Sequence, residues 1–174
     1  MRSLINGLPG DTVSAADRGL AYGDGLFETV RVIDGRPILL DLHLARLNQG
    51  CKRLGLDLDV QSLQAELQTL YSGSADSDQV LKIIVTRAIG GRGYQPDNTQ
   101  QANRYISMNK YVADPQWTET GCAVHLCETM LARQPLLAGI KHLNRLEQVL
   151  AAAELPVGYP EGLMRDTQGH MIEG

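Results

Sequence analysis

The sequence predicts an α+β fold, with a small N-terminal α/β domain followed by part of a C-terminal β-rich domain. Three observations carry that reading. Apolar, β-branched runs flank Asp34-Gly35, the dipeptide of a tight hairpin. Two stretches between predicted strands repeat their apolar residues at helical spacing. The composition is 43 % hydrophobic but only 5 % aromatic, with one Trp and one Phe, so an aliphatic core of Leu, Ile, Val and Ala must hold the chain together.

Taken in order, residues 26–33 read as a strand and 36–40 as its hairpin partner. Asp41 is placed to cap a helix whose apolar positions are Leu44, Leu47, Cys51 and Leu54, and Gly55 to end it. His43, Arg46, Gly50 and Arg53 lie on another face. Ser62 caps a second helix carrying Leu63, Leu67 and Leu70, and residues 72–78 form a polar loop. Residues 80–89 read as a buried strand, broken by Gly90-Gly91-Arg92-Gly93-Tyr94, and 104–112 as another. Pro115 and polar neighbours make 113–120 look like a linker, which divides the chain into 1–113, a connection over 114–120, and 121–174. Beyond it, 121–127 alternates as a strand and 134–139 is a loop. Leu143, Leu146, Val149, Leu150 and Ala153 mark a helix that stops before Pro156. Residues 161–174 read as a strand, a turn and a second strand that stops as it begins, the pattern of a chain cut short. There is no internal repeat.

Charge and cysteine content narrow the function classes. Sixteen Lys+Arg against twenty Asp+Glu give a net charge of −4, which offers nucleic acid no basic field. No apolar run approaches the roughly 20 residues of a membrane helix, and the N-terminus lacks the apolar centre of a secretory signal. Three cysteines cannot all pair, which points to a reduced, cytoplasmic setting.

Several residues invite a chemical reading. Cys122, His125 and Cys127 suggest a metal, but in a strand Cys122 points away from Cys127 and no fourth ligand has zinc-like spacing; core packing is the expectation and no metal is assigned. The glycines of residues 19–25 precede a strand, whereas a dinucleotide fingerprint follows one. Residues 90–94 can bring backbone amides and Arg92 to an anion, or make an ordinary turn. Arg46, off the apolar stripe of its helix, is either a solvated arginine or a forked phosphate ligand. Lys141 follows Ile140 and precedes an apolar helix, where a lysine can lose its proton and act as a nucleophile. Glu173 follows Met171-Ile172 on the last strand.

In combination these residues resemble one family. Asp17-Arg18-Gly19-Leu20-Ala21-Tyr22-Gly23-Asp24-Gly25-Leu26-Phe27-Glu28-Thr29 is similar to the N-terminal signature of the fold-type IV pyridoxal-phosphate enzymes. His43-Leu44-Ala45-Arg46-Leu47 looks like the segment whose arginine binds the cofactor phosphate. Residues 137–148, LAGIKHLNRLEQ, resemble the segment of the cofactor-linked lysine, in the version found in 4-amino-4-deoxychorismate lyases, and the glycines of 90–94 also look lyase-like. Met171-Ile172-Glu173-Gly174 resembles the segment whose glutamate pairs with the pyridine nitrogen. The resemblance implies pyridoxal 5′-phosphate as cofactor, bound by Arg46, Lys141 and Glu173, with Lys141 as catalytic base. It implies Arg92 and, less directly, Arg145 as partners of the substrate carboxylates. Arg145 would share a helical face with Lys141 if the helix begins that early, or else pair with a nearby acid. The implied reaction turns 4-amino-4-deoxychorismate into 4-aminobenzoate and pyruvate, a step of folate synthesis, in a homodimer. An aminotransferase would use the same three cofactor residues, and a catalytically silent α+β module is the reading from a different class.

Overall fold

The computed structural model describes residues 2–72, 78–112 and 114–174, apart from the side chain of Thr118. The interior of the polar loop expected at 72–78 lies outside the described residues. The chain forms two compact units. Met1–Val112 and Gly139–Leu143 make the first, and Ala113–Ala138 and Asn144–Gly174 make the second.

The first unit is built on a six-stranded sheet in the order β2-β1-β6-β5-β3-β4, with every neighbouring pair antiparallel. Its strands are β1 (Arg2–Ile5), β2 (Leu8–Pro9), β3 (Gly25–Ile33), β4 (Arg36–Pro37), β5 (Gln79–Thr86) and β6 (Asn103–Lys110). Alternation puts one set of side chains inward: Leu26, Glu28, Val30 and Val32 of β3, Leu81, Ile83 and Val85 of β5, and Ile106 and Met108 of β6. Two helices bury their apolar stripes in the same core, α2 (Leu40–Leu54) through Leu47 and Cys51, and α3 (Val60–Tyr71) through Leu63, Leu67 and Leu70. Helix α2 packs on β3 and α3 on β6. The short α1 (Arg18–Tyr22) is capped by Asp17 and precedes β3.

The hairpin turns through Asp34 and Gly35, both at positive φ (48° and 70°), the geometry that suits the twist of the two strands. Its second strand is shorter than expected. Pro37 has no N–H to extend the ladder, and Leu39 at φ 54° turns the chain into α2. Leu39 is therefore the N-cap of α2, and Asp41, expected to cap it, sits in the first turn, where its charge still faces the positive end of the helix. Gly55 ends α2 at φ 66°, as expected. Helix α3 starts two residues before Ser62. Asp59 is its cap, and Ser62 donates to it from both its amide and its hydroxyl. Strand β5 stops at Thr86 rather than Ile89, because Ala88 takes a positive φ of 65° and Arg87 turns into a charge network described below.

The second unit holds β7 (Val124–Leu126), β8 (Glu161–Arg165) and β9 (Met171–Glu173) in the order β7-β8-β9, parallel then antiparallel. Inside the expected linker lies a short helix, α4 (Pro115–Glu119), capped by Asp114 with Pro115 in its first turn, where a missing N–H costs nothing. Helix α5 (Leu146–Ala153) starts later than expected, leaving Leu143 outside. It also turns an unexpected face inward: Leu146, Val149 and Leu150 are exposed, and Ala151 joins Cys127, Leu131, Met164 and Leu155 in the core. Cys127 packs as expected, but Cys122 is exposed, a correction to its expected core role that follows from β7 beginning only at Val124. His125 meets the Tyr159 ring edge-on at 6.2 Å. Among the described residues no helix is long and apolar enough to cross a membrane.

Candidate active site

Strand β3 organises the candidate site in the first unit. One edge pairs with β5 from Gly25 to Val32, but on the other β4 reaches only Val32 and Ile33. The opposite end of that edge is taken by residues 141–143. Phe27 donates its N–H to the Lys141 carbonyl at 2.9 Å, Leu143 donates to the Gly25 carbonyl at 3.0 Å, and His142 bridges Leu26. These bonds fix the backbone of Lys141, whose ammonium lies 4.7 Å above the Phe27 ring, close enough for the ring face to attract a cation.

The neighbouring position on β3 points to the opposite face of the sheet. Here Glu28 is closed off from solvent, an acid in a row of Leu and Val. Helix α2 supplies its partners from positions three apart, on one helical face. Arg46 donates from Nε to Oε1 at 2.7 Å and from Nη2 to Oε2 at 2.6 Å, and His43 Nδ1 lies 2.7 Å from Oε2. Burial by itself pushes the Glu28 carboxyl up, but the bonds and charges of Arg46 and His43 outweigh it and hold the group below its usual 4.5. Glu28 in turn raises the pKa of Arg46. The guanidinium is thus locked in a forked pair while 45 % of the Arg46 side chain remains exposed. The sequence reading gave Glu28 no role. Its signal was there to find: a single acid in an alternating apolar strand, followed by a helix with His and Arg three apart.

A second charge network anchors the glycine-rich segments. Asp17 is closed to solvent and accepts from the Gly19 amide, Thr86 Oγ1, Asn103 Nδ2 and the Tyr105 hydroxyl, at 2.8 to 3.0 Å. Burial, with the nearby Asp17 charge, pushes the Tyr105 hydroxyl up to about 12. Asp24 joins Arg18 and Arg87. Arg18 donates to the carbonyls of Gly90, Gly93 and Tyr94, so the loop bearing the exposed Arg92 is held by its acceptors. Gly91 and Gly93 take positive φ, the backbone of a tight turn.

In the second unit, Glu173 ends β9 and stands opposite Met164 of β8. Its Oε1 accepts from Gln148 Nε2 at 2.5 Å and lies 3.7 Å from Arg145 Nη1. Helix α5 begins only at Leu146, so Arg145 does not share a helical face with Lys141; the pairing with a nearby acid is what the structure shows. The structure therefore brings Lys141 and Arg46 to successive residues of one strand and Arg145 to Glu173. Arg92 lies on the loop that Arg18 holds.

Comparison with known proteins follows these elements. An aminodeoxychorismate lyase of Vibrio harveyi is 36 % identical over 172 residues, 97 % of this chain and 63 % of its own length. The crystal structure of 4-amino-4-deoxychorismate lyase from Pseudomonas aeruginosa matches with a TM-score of 0.90 at 47 % identity, over 99 % of this chain and 64 % of that one. The branched-chain amino acid aminotransferase of Escherichia coli shares the fold at 18 % identity, with a TM-score of 0.81 over 99 % of this chain and 60 % of that one. The chain spans a little under two thirds of each of these proteins. The model of the amino-transferase class IV family matches residues 25–174, from the first residue of β3 to the last residue of the sequence. That span takes in the Glu28–Arg46 pair, the Lys141 segment and Glu173, and the chain belongs to the class IV aminotransferase family.

Proposed function

We propose that this chain carries the cofactor-binding residues of a pyridoxal 5′-phosphate-dependent lyase that converts 4-amino-4-deoxychorismate to 4-aminobenzoate and pyruvate, a cytoplasmic homodimer serving folate synthesis. The observation that supports the lyase over an aminotransferase is the 47 % identity to the Pseudomonas aeruginosa lyase over 99 % of the chain, against 18 % to the Escherichia coli aminotransferase over the same share. In domain terms we assign residues 1–113 to the N-terminal domain, 114–120 to the connection, and 121–174 to the first part of the C-terminal one.

The donor set fits the cofactor group by group. Lys141 offers a primary amine on a hydrogen-bonded backbone, the group an aldehyde needs. Arg46 offers a guanidinium already oriented by Glu28 and still exposed, the group a phosphate needs. Glu173 offers a carboxylate, 38 % exposed, the group a ring N–H needs. When bound, the cofactor supplies an electron sink for the carbon that carries the substrate amine. Lys141 would hold the cofactor through its amine and, once free, would serve as the base toward the amine-bearing carbon of the substrate. Glu173 would keep the ring nitrogen protonated. Arg46 would fix the phosphate, and misplacement by an ångström costs on the order of 10²-fold in rate. Arg92 is the cation we assign to the substrate carboxylates; Arg145, the second candidate, is paired with Glu173. Loss of the enolpyruvyl ether as pyruvate leaves an aromatic ring, which makes the reaction strongly downhill, and no keto acid is consumed.

The test is to give the full-length protein 4-amino-4-deoxychorismate without any keto acid and to follow the fluorescence of 4-aminobenzoate. Product should form. Turnover only when an amino acid and a keto acid are both supplied identifies an aminotransferase instead. A well-folded protein that gains no visible absorbance from pyridoxal 5′-phosphate identifies the silent module.

A further inference from the structure

The geometry points to Gln148 as a positioning residue, one that holds the Glu173 carboxylate ready for a cationic N–H, here the protonated pyridine nitrogen; the inference rests on the assignment of Glu173 made above. Register brings the two together. Met164 and Glu173 are directly opposed across β8 and β9, so their side chains leave the same face of the sheet. Helix α5 packs on β8, and its residues Gln148 and Ala151, three apart, share one helical face. Ala151 and Met164 are core partners. Gln148, one turn earlier, therefore meets Glu173, and its Nε2 donates to Oε1 at 2.5 Å.

A second observation argues that this amide is not there for packing. Gln148 Oε1 is buried and has no hydrogen-bond partner among the described residues. A buried acceptor without a partner lowers stability, and an apolar side chain of the same shape avoids that loss. The amide is in place because its donor end is needed at Glu173. A neutral donor also suits the task. It orients the carboxylate without adding a charge, whereas Arg145, 3.7 Å from the same oxygen, is an ion-pair partner beyond direct hydrogen-bond reach and does not fix its direction. Gln148 so sets the direction of the Glu173 carboxylate, the property needed to meet an N–H⁺ in line.

The experiment compares two probes on the full-length apoprotein: pyridoxal 5′-phosphate, and its 1-deaza analogue, in which a ring C–H replaces the nitrogen. Binding of each is read by absorbance. The wild type should prefer the natural cofactor by about tenfold or more, the scale of one charge-assisted hydrogen bond. In Gln148→Met, close in volume and without polar atoms, that preference should fall to about threefold or less, while affinity for the deaza analogue and the thermal midpoint stay level or rise. A preference that survives in Gln148→Met overturns the inference, as does an equal loss of affinity for both probes or a lowered midpoint, which marks a merely structural residue. A wild type that does not discriminate between the probes overturns the Glu173 assignment, and this inference with it. If Gln148→Met does not fold, Gln148→Asn, whose amide is one methylene short of the carboxylate, is read by the same ratio.

Discussion

Two carboxylates, one in each unit, show opposite uses of a charge. Glu28 is buried and answered twice, by a forked guanidinium and by an imidazole, so its charge is consumed within the fold and its effect is to hold Arg46 still. Glu173 is 38 % exposed, with one amide N–H at bonding distance and one guanidinium at 3.7 Å, so it is neither closed off from solvent nor held in a forked pair. A fully paired buried acid is a scaffold element; an acid left partly exposed and oriented by a neutral donor is the one we propose for the chemistry. The same fold provides both because β3 is covered by a helix that brings its cations with it, while α5 brings Gln148 to β9.

Four measurements break or sharpen this contrast. Lys141 stands beside the scaffold acid in the β3 frame, and Lys141→Ala in the full-length protein should abolish both turnover and the borohydride-trapped cofactor adduct. Normal turnover in that variant removes the β3 edge from the chemistry altogether.

Next in size are the matched substitutions. Glu28→Gln should cost about 2 kcal/mol in urea denaturation, below the ~3–5 typical of breaking a buried pair because Arg46 keeps access to water. Glu173→Gln should cost no more than about 0.5 kcal/mol yet lower kcat on the order of 10²-fold. Equal stability losses would erase the distinction between the two acids.

The pH dependence follows from Glu28 and Asp24. Burial pushes both up, but their arginine bonds, with His43 at Glu28, win, so both titrate below their ordinary values of 4.5 and 3.8. A folded-state pKa below the unfolded one adds stability that is complete above the ordinary value and is lost as pH falls through the folded one. The thermal midpoint should therefore show no contribution from these groups' titration above pH 5 and should fall with acidification below pH 4.5. Glu28→Gln should make that fall shallower.

The smallest effect concerns the thiols. Burial pushes Cys51 up to about 12 and also raises Cys127, while Cys122 is exposed. At pH 8 a thiol reagent should modify Cys122 rapidly and the other two only after denaturation. Rapid reaction of all three would show that the cores of both units open readily.

What was legible in the sequence was whatever depends on neighbours along the chain. The Asp34-Gly35 turn, the Gly55 stop and the buried Leu63, Leu67 and Leu70 stripe all follow from local backbone preference and periodicity. The ordered motifs around Arg46, Lys141 and Glu173 also carried the family. Three local expectations failed for local reasons of a subtler kind: Asp59 outcompetes Ser62 as a cap, Leu39 displaces Asp41, and Ala88 ends β5 early.

Only the tertiary structure could decide the rest. Helix α5 has two faces that could be buried, and its apolar one, Leu146, Val149 and Leu150, is exposed, while Ala151 meets Met164 and Gln148 meets Glu173. Periodicity tells which residues share a face; it does not tell which face has a partner. Glu28 makes the same point for charge. Its burial is tolerable only because residues 15 and 18 positions later return to it on α2; the strand marks Glu28 as unusual, but only the packing of α2 on β3 shows which residues answer it. The sequence by itself determined the family and most of the elements; the pairing of their faces, set by packing between distant segments, determined which acid is closed inside the fold and which stays partly exposed.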